Sequence, residues 1–290
     1  MSILLTGATG TIGRRLVHRL SSDGVRPRAV VRDPRRATAL LGDLADYVRG
    51  DLSDPSSLSA AMTGVETVFL LSPNHPDQVR HELAVIDAAA AAGVSRLVKM
   101  SARGAHHTAS NAFWRGHARI EEHLAALGLP AVVLRPSFLM TNLLAGAQTV
   151  RQHGVLMAPA GQARIAMIDP TDVAAVATVA LLDSELTPQV LELTGPQGVT
   201  HDEVAATLGS VTSRAVTYVP VAPQDATAGL VGAGLPEQFA QEVVRVYESL
   251  RRGDQESTTD VVARVTGRPA RSLAGFLHDH VDSFSMRDAG

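Results

Sequence analysis

The 290-residue sequence contains no cysteine. That absence excludes disulfides, thiolate metal sites and cysteine nucleophiles together. Lysine is nearly absent as well: Lys99 is the only one, and the other side-chain cations at neutral pH are arginines. Any mechanism that needs a lysine therefore has one position to draw on. Aromatic residues make up 3% of the chain, with a single Trp and three Tyr. Neither sign of charge dominates; the net charge of −3 and a pI near 6.4 leave no footprint for nucleic acid. No run approaches the roughly 18 apolar residues that a membrane span requires. The first apolar segment begins almost at Met1, which leaves no room for a secretory signal and gives the expectation of a cytoplasmic protein. Abundant Ala, Val, Gly and Arg suggest a GC-rich coding sequence.

What is present is a βαβα rhythm. Short apolar runs at 2–5, 28–31, 47–49, 67–71, 96–100 and 131–135 read as strands, separated by helical stretches at 12–22, 35–41, 56–62, 77–92 and 113–127. This alternation predicts an α/β fold with a Rossmann-type doubly wound parallel sheet covered on both faces. Asp54-Pro55 reads as a cap followed by a first-turn proline, and Gly93 as a left-handed helix end. After Arg135 the rhythm loosens. Helices are expected at 138–152, 170–182 (capped by Asp169), from about Thr200, at 236–252 and at 271–284, with strands at 164–168 and 190–193 and a further short segment at 217–220. The expected division is a nucleotide-binding domain over 1–152, with later strand contributions from 164–195, and a smaller C-terminal α/β substrate lobe over 153–290.

The segment Thr6-Gly7-Ala8-Thr9-Gly10-Thr11-Ile12-Gly13 follows an apolar strand and opens an amphipathic helix. Gly7, Gly10 and Gly13 answer three needs of a dinucleotide site: a tight turn, close approach of a phosphate, and tight packing of helix on strand. The spacing is one residue away from G-x-G-x-x-G, so it is a variant of that fingerprint. The second strand ends in Val31-Arg32-Asp33. A carboxylate there suits the 2′-hydroxyl of NAD, whereas a guanidinium suits the 2′-phosphate of NADP; Arg32 in the first position favours NADP(H), against the alternative of a solvated loop charge. Asp51 and Leu52 are placed to meet the adenine, or else form a turn and cap. Leu71-Ser72-Pro73 closes the fourth strand near the nicotinamide half.

These segments, with Lys99-Met100-Ser101, His117-x-x-x-Glu121 and Leu134-Arg135-Pro136, resemble the NmrA-like group of atypical short-chain dehydrogenases. The likeness runs from Ser2 to about Leu193 and, more weakly, to Gly275-Phe276-Leu277. It implies a Rossmann domain binding NADP, in a group that contains quinone reductases, isoflavone-reductase-like enzymes and non-catalytic sensors of the NADP redox state. Ordinary short-chain dehydrogenases use Tyr-x-x-x-Lys on the helix after the fifth strand. Here that segment reads Phe113-Trp114-Arg115-Gly116-His117, and Tyr47, Tyr218 and Tyr247 are followed four residues later by Asp51, Ala222 and Arg251. Dehydrogenation by that pair is excluded.

The remaining candidates near the nicotinamide are Ser101, His117 and the corner Arg135-Pro136-Ser137-Phe138. His117 either hydrogen-bonds the nicotinamide ribose, acts as a proton donor near neutral pH, or is a helix histidine satisfied by Glu121 at i+4. Ser101 holds a substrate oxygen or caps its strand. Phe113, Trp114, Phe138 and Met140, with Ser137, are the expected wall for a flat ring; plain core is the other reading. His106-His107 and His278-x-His280 lack metal-site spacing, so no metal is expected. The expected function is NADPH-dependent reduction of a quinone or polycyclic aromatic carbonyl, a reaction that needs little acid catalysis and so fits a site without the tyrosine. Tailoring of an aromatic natural product, including ring coupling, is a variant. The alternative is a non-catalytic NADP(H)-sensing regulatory protein, and the assembly state stays open between a single chain and a homodimer.

Overall fold

The computed structural model describes residues 1–186 and 188–285. Its strands are β1 (Ile3–Leu5), β2 (Arg28–Val31), β3 (Asp46–Arg49), β4 (Thr67–Leu70), β5 (Arg96–Met100), β6 (Ala131–Pro136), β7 (Val155–Ala158), β8 (Gln189–Leu193) and β9 (Thr217–Pro220). The helices are α1 (Thr11–Ser22), α2 (Pro34–Leu41), α3 (Pro55–Met62), α4 (Gln78–Ala91), α5 (Ala112–Ala126), α6 (Ala147–His153), α7 (Pro170–Leu182), α8 (His201–Thr212), α9 (Pro223–Gly232), α10 (Glu237–Arg251), α11 (Val261–Thr266), α12 (Leu273–Asp279) and α13 (Val281–Phe284). Seven strands form one parallel sheet in the order β3-β2-β1-β4-β5-β6-β8. Strand order reverses between β1 and β4, and in such sheets ligands bind in the crevice at the carboxyl ends flanking that reversal.

Period-2 alternation sorts the strand side chains onto two buried faces. Ile3, Leu5, Phe69, Val98 and Met100 join α1 and α7 in one apolar cluster. Leu4, Val68, Leu70 and Leu97 join α3, α4 and α5 in another. Both faces are covered, so the central strands read as continuous apolar runs rather than alternating ones. Helix α7 is built almost wholly of Ala, Val and Leu because it is wedged between α1 and the sheet.

Chain order and spatial body part company after residue 152. Residues of α7, β8 and α11 return to the nucleotide-binding body, with β8 paired to β6. A third apolar cluster, including Leu156, Val204, Leu208, Phe276 and Phe284, makes the core of the lobe. Several elements differ from expectation. The helix expected at 138–152 begins as a 3₁₀ turn over Met140–Gly146 before α6. The strand expected at 164–168 is replaced by single bridges, Ile165 to Val199 and Leu139 to Ile168. The lobe's sheet is instead β7 paired parallel with β9, a contact between distant segments that local pattern does not announce. The final helix is divided into α12 and α13 at His280. Helix α9 was not anticipated, because its Ala/Gly-rich sequence has no apolar stripe and it buries no residue.

The returning segments are fastened by Arg271. Its Nε lies 2.9 Å from Asp169 Oδ2, and its backbone N–H donates to Asp172 Oδ2 at 2.7 Å. Asp169 is itself buried and caps α7 by accepting from Thr171 N. Arg271→Ala leaves that buried carboxylate without its cation, so a stability loss of about 1–3 kcal/mol is expected. Denaturant unfolding with unchanged slope and a lower midpoint checks it; an unchanged midpoint would show the pair to contribute nothing.

Candidate functional site

The glycine turn sits at the strand-order reversal. Thr6 Oγ1 accepts from Leu71 N at 2.9 Å and donates to Leu71 O at 2.8 Å, joining the ends of β1 and β4. Gly7 has φ +67°, and a Cβ there would lie 2.7 Å from Leu71 O. At Gly13 an added Cβ would stand 2.1 Å from Gly7 O, so only glycine lets α1 pack directly on the turn. Gly10 differs: a Cβ would meet only Gly7 O, at 3.3 Å, and would otherwise fill open space. Gly10 is also the N-cap of α1 and makes no side-chain cap, whereas α2, α3, α5, α7 and α8 are each closed by one. The first amides of α1, at Thr11, Ile12 and Gly13, therefore open onto the space that Gly10 leaves. This arrangement fits a pyrophosphate at a helix N-terminus. Thr9 and Thr11 are exposed at its rim, while Ile12 is buried and anchors α1.

At the end of β2, Arg32 is exposed and Asp33 caps α2 by accepting from Arg36 N at 3.1 Å. Asp51 Oδ1 accepts from Ser53 N at 2.9 Å and Ser53 Oγ at 2.7 Å, which is the turn geometry of the alternative reading. Those bonds, aided by the charges of Arg32 and His81, hold its carboxyl below the usual range. Leu52 is half-buried beside the α3/α4 face, Leu71 is half-buried, and Pro73 is exposed.

Ser72 turns inward and opens a buried polar network. Its Oγ donates to Glu82 Oε1 at 2.7 Å, and Gln78 Nε2 donates to the same oxygen at 3.0 Å. Lys99 Nζ lies 2.8 Å from Glu82 Oε2, both side chains being fully buried. The ammonium also donates to Met100 O and approaches His117 Nδ1 at 3.3 Å. A second network lies beside it: Glu121 accepts from Ser101 Oγ and forms a two-point pair with Arg135.

These contacts correct the expectation for His117. Glu121 is not its partner; Lys99 is. Burial, reinforced by the Lys99 charge, holds the imidazole well below its ordinary range, which disfavours its protonated form. Ser101 is buried and spends its hydroxyl proton on Glu121. Pro136, at the end of β6, is buried and accepts from Arg103 N at 2.8 Å. The expected aromatic wall is also corrected. Met140 is 2% exposed and lies in the lobe core, Ser137 donates inward to Ala166 O, and Trp114 covers Gly104. Phe138 is buried edge-on against Tyr247. Of the five, only Phe113 remains half-exposed, tilted against Phe239 of α10 with ring centroids 5.0 Å apart.

Sequence reasoning missed Glu82, Gln78, Arg103 and Gln255. A lone lysine within an apolar parallel strand was the available signal for Glu82, since a buried ammonium needs a partner. Nothing local announces Gln255. It accepts from Phe138 N at 2.7 Å and donates to Arg103 O at 2.8 Å, strapping the lobe to the ends of β5 and β6. Arg103 completes the strap, donating to Ser257 O and Oγ and pairing with Glu192. The α10 helix is tied to the same edge, where Glu242 accepts from Ala112 N at 2.6 Å.

Doubly wound topology and an uncapped glycine turn at the strand-order reversal define a dinucleotide-binding α/β protein. More specifically, the chain belongs to the NmrA-like family, whose profile matches residues 1–271. It is 35% identical over 282 residues to an NAD(P)H azoreductase of Xenophilus azovorans, covering 97% of this chain and 99% of that protein. It is 34% identical over 286 residues to a (4-alkanoyl-5-oxo-2,5-dihydrofuran-3-yl)methyl phosphate reductase of Streptomyces griseus, covering 98% and 99%. Among solved structures it matches the NADPH-dependent quinone oxidoreductase of Escherichia coli complexed with NADPH, with TM-score 0.88, 29% identity, and coverage of 97% and 99%. Among the described residues no helix is long and apolar enough to cross a membrane.

The glycines give a discriminating prediction. Gly10→Ala should cost less than about 1 kcal/mol of stability, the scale of an N-cap change. Gly13→Ala should cost at least about 2 kcal/mol, because the clash with backbone outweighs the gain in helix propensity. Thermal unfolding of both variants checks the order, and similar losses would contradict the packing described for α1.

Proposed function

We propose that this chain is an NADPH-dependent oxidoreductase that reduces a quinone or a related polycyclic, conjugated aromatic carbonyl. The observation that carries the reading is the open glycine turn at the strand-order reversal, with the exposed Arg32 at the end of the adjoining strand. Bound NADPH supplies hydride from C4 of its nicotinamide. The amides of Thr11, Ile12 and Gly13 hold the pyrophosphate, and Arg32 pairs with the 2′-phosphate. Asp51, although engaged with Ser53 through one oxygen, keeps the other for the adenine amine.

The nicotinamide half lies toward Ser72, Pro73 and Pro136, with the neutral His117 as a hydrogen-bond donor to the ribose. Phe113 and Phe239, where α10 meets α5, form the apolar rim that excludes water from the acceptor. The site offers no tyrosine–lysine pair and no imidazolium. A quinone suits it, because the oxygen that gains charge is stabilised by aromatisation of the ring and can take its proton from water. The relatives named above are described for azo, dihydrofuranone and quinone chemistry, and an electron-poor conjugated acceptor is common to all three. Reductive tailoring of an aromatic natural product, including ring coupling, is the narrower form of this proposal.

The test is to mix the protein with NADPH and a naphthoquinone and follow the nicotinamide absorbance. Quinone-dependent oxidation of NADPH is expected. Arg32→Ala should raise KM for NADPH by about tenfold, the worth of one charge-assisted hydrogen bond, and leave KM for NADH within about twofold. Equal losses for the two cofactors would refute the phosphate assignment. Tight NADPH binding without turnover across quinone, azo and enone acceptors would replace the enzyme reading with the cofactor-sensing one.

A further inference from the structure

The buried Lys99 has no place in the hydride-transfer reading, yet it contacts the one candidate residue whose chemistry depends on its proton. Period-2 alternation in β5 sends Lys99 to the same face as Leu97, toward α4 and α5. There its ammonium meets Glu82 from α4, the backbone oxygen of Met100, and Nδ1 of His117 from α5. Glu82 is engaged through both oxygens: Oε1 accepts from Ser72 and Gln78, and Oε2 faces the Lys99 ammonium as an ion pair without a hydrogen bond of its own. The other charged groups nearby are already engaged, since Glu121 of α5 is held by Ser101 and by Arg135 of β6. Among the described residues no carboxylate contacts the imidazole, although Glu121 stands a helical turn away on the same helix.

An ammonium has three donors and no acceptor. The nitrogen of His117 that faces it must therefore present a lone pair, and the ring proton must sit on Nε2, on the far side of the ring. We propose that Lys99 is a positioning residue of the cofactor site: paired with Glu82, it fixes His117 as the neutral Nε2–H form, a hydrogen-bond donor rather than an acid. The role rests on the reading above that His117 stands beside the nicotinamide ribose. Ser72 belongs to the same chain of contacts, so the network runs from the end of β4 at the strand-order reversal to α5. The backbone that borders the cofactor and the side chain that binds it are thereby held in one register. The low imidazole basicity caused by burial and by the Lys99 charge agrees with this assignment.

The decisive measurement is two-bond ¹⁵N–¹H correlation on the labelled full-length protein, with the His117 signals identified by their loss in His117→Gln. One protonated nitrogen at Nε2 and one bare nitrogen at Nδ1 are expected, unchanged between about pH 5 and pH 8, the range in which an ordinary histidine titrates. A proton on Nδ1, or titration within that range, would overturn the proposal. In the double variant Lys99→Met with Glu82→Gln, which removes both charges together, the basicity of His117 should rise part of the way toward its ordinary range, because the Lys99 charge is lost while burial, the larger cause, remains. Its dissociation constant for NADPH should rise by about fivefold, the worth of one neutral hydrogen bond. Unchanged NADPH affinity in that variant would overturn the positioning role. If the double variant does not fold, the tautomer in the unaltered protein still decides. Failure of the unaltered protein to bind NADPH is a separate result, which overturns the functional reading and removes the positioning role with it.

Discussion

The turn after β1 has to pass against the end of β4 while α1 packs directly upon it. Three backbones meet there with no room for a side chain: Gly7 against Leu71 O, and Gly13 against Gly7 O. Thr6 adds the hydrogen bonds that keep β1 and β4 ends together. The remaining features of the cofactor site follow from this contact. Because α1 begins at the turn, its first amides point into the crevice; because Gly10 leaves them uncapped, they remain available to an anion. The strand-order reversal places Arg32 on one side of that point and Ser72 on the other.

The interior beside this crevice is polar but electrically settled. Lys99 is matched by Glu82, and Arg135 by Glu121, so the charges taken from water keep partners. His117 lies beside the first pair with Lys99 at its Nδ1, its basicity lowered by burial and by that charge. Such a site can bind and orient, but it is poorly equipped to deliver a proton. In the function proposed above, that constraint favours acceptors whose reduced form is stabilised by its own electronic structure. The lobe imposes the second constraint. Gln255, Arg103 and Glu242 tie it to the ends of β5, β6 and α5, which brings Phe239 against Phe113.

The same contrast governs what could be read from the chain. The strands at 28–31 and 96–100 and the helix at 170–182 emerged from pattern with their observed limits, because burial on both faces of a parallel sheet imposes long apolar runs and local caps mark the ends. Asp33, Asp54, Asp169 and Thr200 serve as caps through bonds to amides two or three residues away, an interaction that neighbouring residues can announce. The lobe was less legible. β7 finds β9 only after α7, β8 and α8 have intervened, and α9 covers nothing, so neither leaves an amphipathic signature. Met140 and Trp114 have the composition of a ring-binding wall, yet the direction of their side chains is set by the lobe core and by Gly104.

The sequence by itself determined the doubly wound sheet, the glycine turn and the absence of a tyrosine–lysine pair, since each is written in local spacing or in residue identity. Tertiary structure decided the partner of His117. The choice lay between Glu121, four residues along the same helix, and Lys99, on a strand eighteen residues earlier. Helical spacing favours the first, but Glu121 is drawn to Ser101 and Arg135, and the buried ammonium takes the imidazole. Competition for hydrogen bonds among groups removed from water is settled only where the elements meet.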